Sequence, residues 1–161
     1  MAGRPEAPQP ASAADITLDQ RLCLALYTAS RAMTARYRLA LGELALTYPQ
    51  YLVMVLLWEE DDCSVGAIGS RLSLDSSTLS PLLKRLQAMD LVTRTRSTTD
   101  ERLMIIGLTE RGRRMQAEAA QVTEDMCEAT GITVQQQLEL VTTLRELTAQ
   151  LDASTQAATP H

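Results

Sequence analysis

Residues 74–108 decide the fold, and their sequence is LDSSTLSPLLKRLQAMDLVTRTRSTTDERLMIIGL. Its first part carries leucines at helical spacing behind Asp75, a residue type that caps helices, which predicts a helix through about Met89. In its second part the helical spacing of apolar residues ends, and strand-forming residues flank the turn-forming run STTD. The stretch therefore predicts a helix that is followed at once by a β-hairpin.

A short helix is predicted just upstream, from about Val65 to Leu72, with Ser64 as its cap. Two short helices joined by a tight turn and followed by a hairpin form a winged helix-turn-helix unit. The acidic run EEDD before it is predicted to be a loop that includes Cys63.

Long helices are predicted on both sides of this unit. One runs from Asp15 to about Leu41, and a capping box at 47–50 opens a buried second helix that ends near Trp58. Thr109 caps a fifth helix to about Thr130, and a second capping box at 133–136 opens the last one. We predict a mostly α fold with a small β wing, dimerised through its N- and C-terminal helices.

The length of 161 residues suits one compact domain. We predict that this domain spans residues 15–152, and that both ends of the chain, which lack an apolar period, are disordered. The predicted parts are a tail at 1–14, a winged helix-turn-helix at 58–112, dimerisation helices at 15–47 and 113–152, and a tail at 153–161.

Charge is unevenly distributed along the chain. The whole chain has 15 basic and 20 acidic residues and a pI near 4.9, which taken alone argues against a nucleic-acid partner. From Arg71 to Arg114, however, nine basic residues face five acidic ones, and eight of the nine are Arg, whose fork suits phosphates and guanine edges. We therefore predict double-stranded DNA as the partner, against the alternative of a solvated basic surface. The predicted contacts on the helix and hairpin are Ser76, Ser77, Thr78, Ser80, Lys84, Arg85, Arg94 and Arg96.

Several classes are disfavoured by what the sequence lacks. It has no apolar run of about 18 residues and no secretory leader pattern, so we expect a soluble, cytoplasmic protein with no membrane partner. Its three cysteines form no CxxC pair, and its single histidine, His161, ends the chain, so we expect no metal and no cofactor.

The quoted stretch and the order of helices resemble the MarR family of dimeric transcriptional regulators. The resemblance covers roughly residues 18–150 and rests on LxxLxxxxLV and on the D-x-R pattern in the wing. It implies a homodimeric repressor on a pseudo-palindromic operator, in which Asp100 steadies the wing and Arg102 enters the minor groove. Where the family often has Gly, this chain has Met89-Asp90, a departure that would stiffen the turn before the wing.

Residues 22–61 are similar to the organic-hydroperoxide-sensing OhrR branch of that family. Their sequence is LCLALYTASRAMTARYRLALGELALTYPQYLVMVLLWEED. The similarity implies that Cys23 is the peroxide-reactive thiol, that Tyr37 and Tyr48 hydrogen-bond it, and that Tyr27 is a neighbour. By the same similarity, Cys127 on the fifth helix resembles the thiol that resolves the oxidised sensor of the other subunit. Ordinary burial of Cys127 is the alternative.

The residues themselves bear on these roles. A lone Cys on an apolar helix is usually inert, but Tyr27 lies one turn from Cys23 and its phenol can stabilise a thiolate. Tyr37 is fourteen residues away, about 21 Å along a helix, so only a second subunit can bring its phenol to Cys23. Cys63 has no cationic neighbour in sequence and is expected to be inert.

These observations predict a repressor that responds to organic hydroperoxides through Cys23. One rival is a regulator of the same fold that binds a small phenolic or lipophilic ligand, with Cys23 only structural. A second rival is a thiol peroxidase, disfavoured because only Arg21 or Arg31 lies near enough to activate the thiol.

Overall fold

The computed structural model describes residues 16–158. The predicted disorder of 1–14 and of the last three residues lies outside this range. The helices are α1 (Leu22–Ala40), α2 (Tyr48–Glu59), α3 (Val65–Leu72), α4 (Ser76–Ala88), α5 (Glu110–Thr130) and α6 (Val134–Ala158), and the strands are β1 (Cys63–Ser64), β2 (Val92–Arg96) and β3 (Met104–Leu108).

The predicted winged helix-turn-helix is confirmed. Helices α3 and α4 are joined by a tight turn, and β2 and β3 pair as an antiparallel hairpin with Val92 opposite Leu108. A third strand was missed: β1 pairs with β3, with Cys63 opposite Ile106, in the sheet order β1-β3-β2. Cys63 therefore does not lie in a loop. A two-residue strand formed by a distant partner leaves no local periodicity to detect.

The predicted caps hold the starts of α3, α4 and α5. Ser64 Oγ accepts the Ala67 N–H at 3.1 Å, and Asp75 Oδ1 accepts the Thr78 N–H at 2.8 Å. Thr109 Oγ1 likewise accepts the N–H of the third residue of α5 at 2.9 Å. These bonds satisfy backbone donors that a helix N-terminus leaves free, so each cap fixes where its helix begins.

Helix α2 is the central element of the core. It packs against α3, α4 and α5, and six of its twelve residues are buried. The predicted inner face of α4 is confirmed, and α4, α5 and β3 all pack against α2. The fully buried large side chains are Leu41, Val53, Met54, Leu57, Ile68, Leu79, Leu83, Leu86, Leu91, Val92 and Ile106.

Two helix ends differ from prediction. α1 begins at Leu22 and not near Asp15, because 18–20 form a separate 3₁₀ turn in which the Gln20 side chain accepts the Thr17 N–H. α6 continues to Ala158, into the predicted tail at 153–161. Its last residues include the good helix formers Ala and Gln and no Gly or Pro, so nothing ends the helix at 152.

The turn before the wing depends on Asp90. This residue adopts a left-handed conformation with φ 57°, and the Leu91 N–H then bonds back to the Leu86 carbonyl. A left-handed position favours Gly and, among other residues, tolerates Asp and Asn best. Asp90 therefore takes a left-handed position that a Gly would also accept.

The apolar stripes of α1 and α6 are uncovered in the single chain. Neither helix has a buried residue, and Leu22, Leu138 and Leu151 are 57%, 57% and 55% exposed. None of the helices within 16–158 is long and apolar enough to span a membrane. Contiguous apolar surface of this kind marks an interaction face.

Candidate functional site: the DNA-binding face and the thiol cluster

Helix α4 presents the predicted DNA-contacting side chains to solvent. Ser76, Lys84 and Arg85 are exposed and Ser80 is partly exposed. Ser77 and Thr78 are exposed too, but their hydroxyls both donate to the Asp75 carboxylate. The pKa of Asp75 is lowered to about 2, mainly because its carboxylate accepts the Ser77 hydroxyl. The cap therefore fixes the hydroxyls of two predicted DNA contacts in the DNA-free protein.

The wing tip is held by Asp100. Its carboxylate accepts the Arg102 N–H at 3.0 Å and its carbonyl accepts the Leu103 N–H at 2.9 Å. Arg96 closes the same turn by donating to the Glu101 carbonyl at 3.2 Å. The Arg102 side chain remains exposed at the tip, whereas Arg94 is half-buried against the sheet.

Asp61 fastens the wing to α5, a role that sequence reasoning missed. Its carboxylate accepts the Leu108 N–H at 2.7 Å and the Arg113 guanidinium at 2.8 Å. Burial alone would raise the pKa of Asp61, but these bonds together lower it. The acidic run around Asp61 was predicted to be a loop, and only the fold brings Arg113, 52 residues away, beside it.

Cys23 lies on the exposed face of α1. Within the described residues its Sγ has no hydrogen-bond partner, and Tyr27 one turn away accepts a bond from Arg31 Nη1 at 3.0 Å. α1 is continuous from Leu22 to Ala40, so Tyr37 is about 21 Å from Cys23 along the helix. One chain does not bring these two side chains together.

Tyr37 and Tyr48 instead meet each other. Their rings stack with centroids 4.5 Å apart, and both phenols are half-buried. The pKa of Tyr37 is raised to about 12, mainly by burial and then by the neighbouring Tyr48, Tyr51 and Cys127. Burial also raises the pKa of Tyr48. Both groups are therefore protonated at neutral pH and are available as hydrogen-bond donors.

A cavity of about 480 Å³ opens between α1, α5 and α6 beside this pair. Tyr37 and Cys127 line it together with apolar side chains that include Met33, Met126 and Leu140. Cys127 is partly exposed, and its Sγ is 4.0 Å from Gln137 Oε1. The fold thus places Cys127 and Tyr37 on the lining of the same cavity.

Cys63 is isolated from this cluster. It is 7% exposed in the core, and its Sγ donates to the Glu60 carbonyl at 3.1 Å. Burial, followed by the negative charge of Glu60, raises the pKa of the Cys63 thiol. A buried thiol whose thiolate is disfavoured is a poor nucleophile, which agrees with the expectation that Cys63 is inert.

Comparison with known proteins identifies the family. The family model described as transcriptional regulator SarA/Rot matches residues 36–119, about half of the chain. The chain belongs to this MarR-like winged helix-turn-helix family. It is 44% identical over 137 residues to the HTH-type transcriptional regulator TtmR of Methylorubrum extorquens, covering 85% of this chain and 70% of TtmR.

Two further members of the MarR-like family are informative. The organic hydroperoxide resistance transcriptional regulator of Bacillus subtilis is 46% identical over 105 residues, 65% of this chain and 71% of that protein. Reduced AbfR bound to DNA, from Staphylococcus epidermidis, is 34% identical with a TM-score of 0.69, covering 83% and 93% of the two chains. The disulfide form of AbfR is 38% identical with a TM-score of 0.58, covering 81% and 91%.

Membership of the MarR-like family establishes the general activity. These relatives are transcriptional regulators and the family is one of DNA-binding proteins, so the chain is a regulator and not an enzyme. The thiol-peroxidase alternative is set aside on this ground.

Proposed function

We propose that the protein is a homodimeric cytoplasmic repressor that senses organic hydroperoxides through Cys23 and leaves a pseudo-palindromic operator when that thiol is oxidised. One observation carries the proposal: Tyr37 stacks on Tyr48 and shares a cavity with Cys127, but the Cys23 of the same chain is about 21 Å from Tyr37. A cluster suited to supporting and resolving a thiol therefore needs the thiol of a second subunit.

The uncovered helices supply a route to that second subunit. α1 and α6 expose apolar side chains, and two copies that pack α1 against α1 in antiparallel would each bring Cys23 toward the partner's cavity. The phenols of Tyr37 and Tyr48 would then donate to the arriving thiolate. The same geometry would set Cys127 near it.

The chemistry of the switch is that of a reactive thiolate. The Cys23 thiolate attacks the outer oxygen of ROOH, an S–O bond forms, the O–O bond breaks, and the alkoxide leaves and is protonated to the alcohol. The Cys127 thiolate then attacks the sulfenic sulfur, an S–S bond forms, and hydroxide leaves and is protonated to water. The two cysteines lose two electrons in total and the hydroperoxide gains them.

Release from DNA requires that oxidation change the dimer. Two recognition helices must stand about 34 Å apart to enter successive major grooves, and here α4 is the recognition helix. A covalent change at the α1 interface that favours another spacing shifts the dimer to a state the operator does not accept.

The named relatives support this proposal. The relative from Bacillus subtilis is named for organic hydroperoxide resistance, and AbfR exists both as a reduced protein on DNA and as a disulfide form. This chain carries Cys23, Tyr37, Tyr48 and Cys127, the residues that the proposed response requires.

A gel-shift experiment tests the proposal. Reduced protein is titrated onto the DNA upstream of its own gene, with and without tert-butyl hydroperoxide, beside Cys23→Ser as the control. We expect the hydroperoxide to release the parent and to leave Cys23→Ser bound with parental affinity. Release of Cys23→Ser, or retention of the oxidised parent, would refute the proposal.

The cavity of about 480 Å³ supports a second candidate, a regulator of the same fold released by a small lipophilic or phenolic ligand. The two candidates differ in their need for the thiol. Release by a ligand would occur under reducing conditions and also in Cys23→Ser. Release by hydroperoxide would fail under reducing conditions and would fail in Cys23→Ser.

A further inference from the structure

Four of the chain's five aromatic residues form one continuous series, here called the aromatic ladder: Tyr48, Tyr37, Tyr51 and Trp58. Ring centroids are 4.5 Å apart for Tyr48 and Tyr37, 5.7 Å for Tyr37 and Tyr51, and 6.3 Å for Tyr51 and Trp58. Each spacing lies within the range of favourable aromatic pairs. The ladder joins α1 to the whole length of α2.

The far end of the ladder is anchored at the base of the wing. Trp58 Nε1 donates to the Gly112 carbonyl at 2.9 Å. Gly112 lies in the first turn of α5 and packs so closely on Leu91 that a Cβ at 112 would overlap the Leu91 carbonyl oxygen. Leu91 joins α4 to β2, and its carbonyl accepts the Thr109 N–H at 3.1 Å. Through Gly112, one end of the ladder therefore reaches the residue that joins the recognition helix to the wing.

The middle of the ladder is held firmly. Tyr51 is only 5% exposed, and its hydroxyl lies 3.4 Å from Thr123 Oγ1 on α5. The Tyr51 ring contacts Tyr37 on one side and Trp58 on the other, so it links the two ends of the ladder. A displacement of Tyr37 therefore has a path of direct ring contacts through Tyr51 to Trp58.

We infer that the aromatic ladder couples the thiol cluster to the DNA-binding face, with Tyr51 and Trp58 as positioning residues for the switch. Tyr37 stands at the thiol end and Gly112 at the DNA end, and the ladder is a continuous path of direct contacts between them. Oxidation that moves Tyr37 shifts the base of the wing and of α4 through this path. The inference rests on the proposed function, because it assumes that oxidation at Cys23 displaces Tyr37.

The test separates sensing from coupling by measuring both in each variant. Tyr51→Leu removes the central ring, Trp58→Phe keeps a ring but removes the N–H that reaches Gly112, and Tyr51→Phe is the matched control that keeps the ring. For each, the rate of Cys23 oxidation by tert-butyl hydroperoxide is measured with the DNA dissociation constant of the reduced and the oxidised protein.

We expect Tyr51→Leu and Trp58→Phe to oxidise at the parental rate and bind DNA normally when reduced. Their ratio of oxidised to reduced dissociation constants should fall about fivefold or more, while Tyr51→Phe keeps the parental ratio. Trp58 is the chain's one tryptophan, so its fluorescence reports on this end of the ladder. The fluorescence should change when the parent is oxidised, and it should not change in Cys23→Ser after the same treatment.

The outcomes are distinguishable. Parental ratios in both Tyr51→Leu and Trp58→Phe would overturn the inference, as would equal weakening of reduced and oxidised binding, which signals a structural defect alone. If one variant fails to fold, the other carries the same test. An oxidised parent that keeps its DNA would refute the proposed function itself, whatever the variants do.

Discussion

Tyr37 stacks on Tyr48 within one chain, with ring centroids 4.5 Å apart and planes inclined by 28°. Tyr37 comes from the second half of α1 and Tyr48 from the first residue of α2, so the stack fixes the angle at which α2 leaves α1. Tyr37 also lines the cavity on which Cys127 lies. The pair is thus both a packing contact and a candidate donor pair.

Changing both Tyr37 and Tyr48 to Phe should slow the oxidation of Cys23 by roughly tenfold or more, since each phenol hydrogen bond to a charged group is worth about 1.5 kcal/mol or more. The stacked rings are retained, so the fold should survive. The measurement is the rate at which Cys23 reacts with hydroperoxide, with Tyr51→Phe as control. Parental kinetics in the double variant would remove these tyrosines from the thiol site.

Arg102→Ala and Lys84→Ala should each weaken DNA binding. Both side chains are exposed, one at the wing tip and one on α4, where they can reach phosphates or a groove. Loss of one phosphate contact should reduce the slope of log K against log salt by about one. Arg145→Ala on α6 is the control. Affinities equal to the parent's at several salt concentrations would contradict the assignment of this face.

The local signals in the sequence account for most of the fold. Helix starts at Ser64, Asp75 and Thr109 were predictable because capping acts over three residues. Strand β1 was not, because its two residues are strand only by pairing with β3. The extension of α6 to Ala158 was missed because polar residues there hid good helix propensity.

The candidate site divides in the same way. The separation of Cys23 from Tyr37 could be predicted from helix rise alone, because α1 is regular between them. The contacts of Asp61 and Trp58 could not, because each reaches α5 across more than fifty residues and depends on the completed fold. Side-chain contacts between distant elements leave no trace in local spacing.

Asp61→Asn should destabilise the fold by roughly 1–2 kcal/mol at neutral pH, since it weakens charged hydrogen bonds to Leu108 and Arg113. The pKa of Asp61 is lower in the folded protein than its ordinary 3.8, so its contribution is present above that value and is lost as pH falls below it. The free energy of unfolding is measured in urea at pH 7 and pH 3. The difference in this free energy between parent and variant should be smaller at pH 3 than at pH 7. A gap independent of pH would contradict the role of the charge.

Gly112→Ala should lower the free energy of unfolding by about 3 kcal/mol or more, because the new methyl overlaps the Leu91 carbonyl oxygen and forces α5 away from the wing. Gly66→Ala is the matched control. A Cβ at Gly66 in α3 has open space around it, so this change should be neutral or stabilise by up to about 1 kcal/mol. Equal urea midpoints for the two variants would refute the close approach at Gly112.

Once Cys23 is oxidised, Cys127 of the partner subunit should resolve it as a disulfide. A sulfenic acid is open to further, irreversible oxidation, so a nearby thiol protects it by forming this bond. Cys127 is the candidate because it lies in the cluster to which the partner's Cys23 is proposed to come. A disulfide needs Cα atoms within about 7 Å, so any greater separation in the reduced dimer must be closed by helix movement. That movement would itself be part of the switch.

Non-reducing electrophoresis after hydroperoxide treatment should show a covalent dimer in the parent and none in Cys23→Ser or Cys127→Ser. Cys63→Ser is the control and should behave as the parent, because the Cys63 thiol is buried and its raised pKa disfavours the thiolate. A dimer that survives in Cys127→Ser but disappears in Cys63→Ser would transfer the resolving role to Cys63. The absence of any dimer in the oxidised parent would refute resolution by Cys127 and favour capture of Cys23 by a small cellular thiol.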